Sequence, residues 1–78
     1  MIAFEYEVGT MAREIATGRA PTLAAAKRRA SAALAKLRAD GWVSHGAAVF
    51  AVDSEGKRAA LPLCSRGPQT RWQAWRTI

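Results

Sequence analysis

Cysteine is almost missing: the 78 residues contain one, Cys64. A single thiol cannot staple a fold, which excludes the disulfide-dense secreted miniproteins and fits a reducing, intracellular compartment. Cys64 itself reads as a small hydrophobe. Histidine is equally scarce, with His45 alone, so the four Cys/His ligands of a structural zinc site cannot be assembled. No apolar run approaches the ~20 residues of a membrane span. A secretory leader needs a basic start and an apolar run, whereas this chain opens on a stretch holding Glu5 and Glu7. The glycines are scattered at 9, 18, 41, 46, 56 and 67, so none of them builds a phosphate-cradling loop.

Catalytic pairings are also lacking. His45 has Ser44 beside it and Asp40 and Asp53 nearby in sequence. Adjacent side chains of an extended segment point to opposite faces, so a partly exposed loop histidine is the expectation. Glu5 and Glu7 share one strand face and read as solubility. The chain is therefore expected to be no enzyme, with no catalytic residue, no metal ligand and no cofactor.

What is present is positive charge, and it is sorted. Twelve Lys and Arg against six Asp and Glu give a net charge of +6. Residues 15–39 carry six bases and no acid, and residues 57–78 five bases and no acid. The acids collect in residues 1–14 and 40–56. Such segregation makes patches that attract anions. The length allows one domain, 1–78, with a modest core. Many of the apolar residues are alanines, so the core falls to Ile2, Phe4, Tyr6, Ile15, Leu23, Leu34, Leu37, Val49, Phe50, Val52, Leu61 and Leu63.

The run IAFEYEV alternates, with Ile2, Phe4, Tyr6 and Val8 on one side and Ala3, Glu5 and Glu7 on the other. That is a half-buried strand with a solvated acidic face. Gly9-Thr10 reads as a turn, and residues 12–20 as a second strand with a bulge or close approach at Gly18. PTLAAAKRRASAALAKLRADG predicts a helix capped by Thr22 and closed by Gly41. Leu23, Ala26, Ala30, Ala33, Leu34 and Leu37 form its apolar stripe. Arg28, Lys36 and Arg29 fall about 140°, 220° and 240° from Leu23, so the face turned from the core is basic. A third strand is expected over 47–52, a turn at DSEG, a fourth strand over KRAALPL, and a loop over CSRGPQT. The tail 71–78 fits a fifth strand or a helical turn starting near Pro68. The fold class is α+β, a ββαββ(β) arrangement with one helix on one face of a mainly antiparallel sheet.

Two features point to a partner. Lys27, Arg28, Arg29, Lys36 and Arg38 have no acidic neighbour within the helix, whereas a merely solvated face usually mixes signs. Trp72 and Trp75 lie among Arg71 and Arg76, residue types that suit interface hot spots and base stacking. As a strand the tail would bury one tryptophan and expose the other; as a helix both could pack inward. Trp42 is expected to pack against the helix end. The bland reading is plain solubility, the like charges being offset by Asp40 and the acidic strand.

The segment FEYEV…IATGRAPTLAAAKRRASAALAKL resembles small ββαββ proteins of phages and mobile elements, including some type I anti-CRISPR proteins. The shared features are the tyrosine in the first strand (Tyr6), the G-x-A-x-T lead-in at Gly18–Thr22 and the alanine-rich helix. The resemblance covers about residues 2–63 and carries topology, not chemistry. It implies an inhibitor docking on a type I CRISPR surveillance complex, in the cytoplasm of a bacterial host. This chain departs from the acidic DNA mimics among such inhibitors, so it would have to dock on an acidic protein surface or on crRNA or DNA phosphates.

Two readings follow. The first is a non-enzymatic inhibitor that docks on a host protein or ribonucleoprotein complex through the Trp/Arg tail and part of the basic helix. The second is a nucleic-acid-binding module that holds phosphates along its helix. The sequence favours the first, with no membrane partner and with the chain a monomer or homodimer.

Overall fold

A computed structural model describes residues 3–10, 14–41, 45–67 and 71–74. The elements run β1 (Ala3–Thr10), β2 (Glu14–Ala20), α1 (Leu23–Ala39), β3 (His45–Val52), β4 (Cys64–Arg66) and β5 (Gln73–Ala74). The strands form one antiparallel sheet in the order β2-β1-β3-β4-β5, and α1 lies across β1, β3 and β2. This is the expected α+β, ββαββ(β) arrangement.

The alternation of β1 sets the two faces. Phe4, Tyr6 and Val8 point to the helix with their partners Ala20, Gly18 and Ala16 on β2 and Ala51, Val49 and Ala47 on β3. From α1, Ala26, Ala30, Leu34 and Leu37 are buried at intervals that keep them on one side. The packing is close because the facing residues are small. Ala26, Ala30, Val8 and Val49 are wholly buried.

Gly18 is a close approach, not a bulge. It sits opposite Tyr6, and an added Cβ would come within 2.6 Å of Tyr6 Cζ and 2.9 Å of Cε1. The Tyr6 ring lies where a side chain would be. Thr22 caps α1 as expected, its Oγ1 accepting from the Ala25 amide at 3.1 Å. Gly41 follows the helix at φ 89°, a left-handed conformation that glycine adopts without a Cβ clash.

Several boundaries differ from the sequence reading. Gly9 and Thr10 continue β1 instead of turning, paired with Gly46 and His45. The backbone of His45 therefore belongs to a strand, not to a loop. Residues 12 and 13 of the expected second strand, and Trp42, lie outside the described residues. The fourth strand is the main correction. Val52 bridges Arg58, but the next ladder pairs Val49 with Cys64, which leaves three residues over on the returning chain. Residues 59–63 loop out between two anchors, the Ala59 amide on Ala51 O at 2.9 Å and the Leu63 amide on Val49 O at 2.7 Å. Pro62, which has no amide to give, sits in this excursion. Leu61 and Leu63 are accordingly 55% and 44% exposed and are not core. Pairing resumes at Cys64–Arg66, within the expected CSRGPQT loop.

Gly18→Ala is expected to lower stability by about 1–3 kcal/mol, because the tyrosine ring must leave its seat over the strand. Urea denaturation checks it. In a Tyr6→Leu background the same change should cost clearly less.

Candidate nucleic-acid interface

The acids of β1 are not simply solvated. On the sheet face turned from the helix, Glu5 accepts from Arg19 Nε and Arg58 Nη1, both at 3.2 Å, and Glu7 accepts from Arg58 Nη1 at 2.8 Å. The Arg58 guanidinium also lies 4.1 Å from the Phe50 ring centroid. Phe50 and Val52 are buried on this face, away from the helix. Glu7 and Glu5 raise the pKa of Arg58 above its usual value, although its partial burial opposes them. Arg19 Nη2 further reaches Gly56 O at 3.1 Å and ties the 53–56 turn to β2.

These are the three acid–base pairs among the described residues, and all lie on the sheet face opposite α1. The cations of the helix are left without a carboxylate within 4.0 Å among the described residues. Neither Asp40 nor the acidic strand therefore pairs directly with a cation of the helix.

The helix cations divide into two rows. At about 100° per residue Lys27 and Arg38 fall near 40° and 60° from Leu23, on the flank toward β4, while Arg29 and Lys36 lie on the flank toward β2. Contacts agree with this division. Arg29 Nη1 donates to Arg19 O at 2.6 Å, at the outer edge of the sheet. On the other flank, Ser31 Oγ accepts from Arg66 Nη1 and from Trp72 Nε1, both at 3.2 Å. Arg28, Arg29, Lys36 and Arg38 are exposed and Lys27 is half-buried. Arg28 stands on the crest between the rows, among the exposed Ala24, Ala32, Ala35 and Ala39. Arg66, not singled out from sequence, joins the β4 flank, and Arg71 is exposed nearby in the chain before β5.

Within the tail, Gln73–Ala74 forms a strand. Gln73 pairs with Ser65 and Ala74 with Cys64, which turns Trp72 to the helix side. There it packs half-buried against both helix-side clusters, beside residues such as Val8, Ala30, Val49 and Cys64. Its indole N–H is satisfied by Ser31. Trp72 therefore joins the core, as a strand there would place one of the two tryptophans. Trp75 and Arg76 lie outside the described residues.

Other chemistry has little to build on. Among the described residues no three His, Cys, Asp or Glu side chains are placed to hold a metal ion. No helix among them is long and apolar enough to cross a membrane. An open cleft of about 540 Å³ lies between the end of β3 and residues 53–60. Its one carboxylate, Asp53, already accepts the Glu55 and Lys57 amides at 2.9 Å through Oδ1. Cys64 is buried on the helix side, and burial pushes its thiol pKa up while Lys27 draws it back. Comparison of the chain with family models, with curated proteins and with solved structures finds no match.

Trp72→Ala is expected to cost about 2–4 kcal/mol of stability, as a core truncation does, in a thermal or urea melt. An exposed anchor would leave the melt unmoved. The raised Cys64 pKa gives a second expectation. A pKa higher in the folded than in the unfolded state contributes stability that is intact below the unfolded value and is lost as pH rises through the folded one. Native protein should thus resist a thiol reagent at mildly alkaline pH and react on addition of urea.

Proposed function

We propose that the protein is a non-enzymatic nucleic-acid-binding module that holds phosphates along the outer side of α1. One observation carries this reading: the acids of β1 are engaged on the far face of the sheet, while the helix cations lack a carboxylate partner among the described residues. A row of unneutralised guanidinium and ammonium groups on a rigid helix fits a chain of phosphates, whose contact releases condensed counterions. With Trp72 seated in the core, the tryptophan argument for a protein interface loses its described member.

A second reading, from the resemblance, has an observation of its own. As a phage-type inhibitor in a bacterial cytoplasm, the chain would dock on a host protein or ribonucleoprotein complex such as a type I CRISPR surveillance complex. The exposed Leu61 and Leu63 supply an apolar contact of the kind such docking uses.

The test is fluorescence anisotropy with mixed-sequence DNA and RNA between about 50 and 200 mM salt. Engagement of about four helix cations on duplex DNA should give a log–log salt slope between about −3 and −4. Lys36→Ala/Arg38→Ala, one cation from each flank, should flatten it by about two phosphates' worth and weaken binding across sequences alike. No binding near physiological salt would contradict the phosphate reading. If a host complex were then captured in a way that Leu61→Ser/Leu63→Ser abolishes, the inhibitor reading would replace it.

A further inference from the structure

We infer that α1 enters the major groove of duplex DNA, its crest toward the base pairs and its two basic rows toward the phosphates on either side. This rests on the reading that the helix binds nucleic-acid phosphate, and adds which form of nucleic acid and which groove.

Shape and charge of the helix both fit this groove. The crest of α1 is Ala24, Arg28, Ala32, Ala35 and Ala39, all exposed. Lys27 and Arg38 stand on one side of it, Arg29 and Lys36 on the other. A helix with side chains is about 10–12 Å across, and the B-DNA major groove is about 12 Å wide. Methyl groups on the crest let such a helix sink into the groove without displacing base edges. Cations on both flanks then meet both phosphate backbones, whereas a helix lying along a single strand needs only one row. Helix propensity explains the alanines but not the cations, because Glu is as good a helix former as Lys and would serve a water-facing surface equally well.

The flanks are also held in place. Arg29 is held at the sheet edge by its bond to Arg19 O, which uses one of the five N–H donors of a guanidinium. On the opposite side Arg66 extends the row beyond the helix, steadied by Ser31 Oγ and Gly67 O. Arg28, the one charged residue on the crest, has the reach and the fork to meet O6 and N7 of a guanine. Duplex RNA presents a major groove too deep and narrow for a helix, so the same surface should discriminate between the two duplexes.

The experiment compares duplex DNA, duplex RNA and single-stranded DNA of one sequence and length, with polyglutamate as an acidic-protein control. The protein is wild type and the charge-neutral crest variant Ala32→Tyr, its fold verified by circular dichroism and melting. Wild type should prefer duplex DNA to duplex RNA by roughly tenfold at equal salt. Ala32→Tyr should lose most of that preference while keeping its affinity for single strands. Should the variant fold poorly, wild type on a duplex whose cytosines carry glucosylated 5-hydroxymethyl groups asks the same question. Those groups fill the major groove and leave the phosphates alone, so affinity should fall. Equal affinity for all three nucleic acids, unmoved by crest or groove bulk, would overturn groove insertion and leave phosphate binding standing. Polyglutamate binding as tightly as DNA, or no binding to any nucleic acid, would overturn both.

Discussion

The pairing of Glu5 and Glu7 with Arg19 and Arg58 decides how charge is distributed over this molecule. β1 is central in the sheet, and its alternation sends its apolar residues to the helix and its two acids to the opposite face. Once there, they draw in an arginine from β2 and another, Arg58, from the chain returning beside β3. Exposed ion pairs of this kind contribute little to stability individually, on the order of 0–1 kcal/mol. Their effect is on the sorting of charge. With those acids engaged on the far side, the helix side is left basic.

The second constraint is the closeness of helix and sheet. Alanines on α1 face alanines, valines and Gly18 on the strands, and the Tyr6 ring fills the space over the glycine. Small residues bury little area each, so a chain of this length has a thin margin of stability. Trp72 adds a large side chain to that core from the far end of the sequence. The same economy leaves α1 as a ridge, with nothing in the described chain covering its outer side. The fold thus presents a rigid convex surface bearing cations on two slopes.

Much of this was legible in the sequence where the signal is local. The alternation of residues 3–8, the Thr22 cap, the glycine at 41 and the apolar stripe of the helix each depend on neighbours within a turn or two. So did the absence of acids from the helix. The excursion at 59–63 was not legible, because KRAALPL satisfies a strand pattern and only the cross-strand register reveals three residues too many. Leu61 and Leu63 were misplaced for that reason. The fate of Trp72 depended on the pairing of a two-residue strand, which sets its parity and carries no periodic signal. Alternation showed that Glu5 and Glu7 share a face, but Arg58 lies 53 residues beyond Glu5 in the chain. No local pattern announces that meeting.

On the proposed reading, the helix side, and not the sheet's far face, meets the partner. The most direct measurement is an amide and arginine side-chain NMR titration of labelled protein with a short duplex DNA. Shifts are expected along α1, at the Arg28 side chain and at Arg66, with Glu5, Glu7 and Arg58 unmoved. Shifts gathered instead at Leu61, Leu63 and the Glu5–Arg58 face would contradict it.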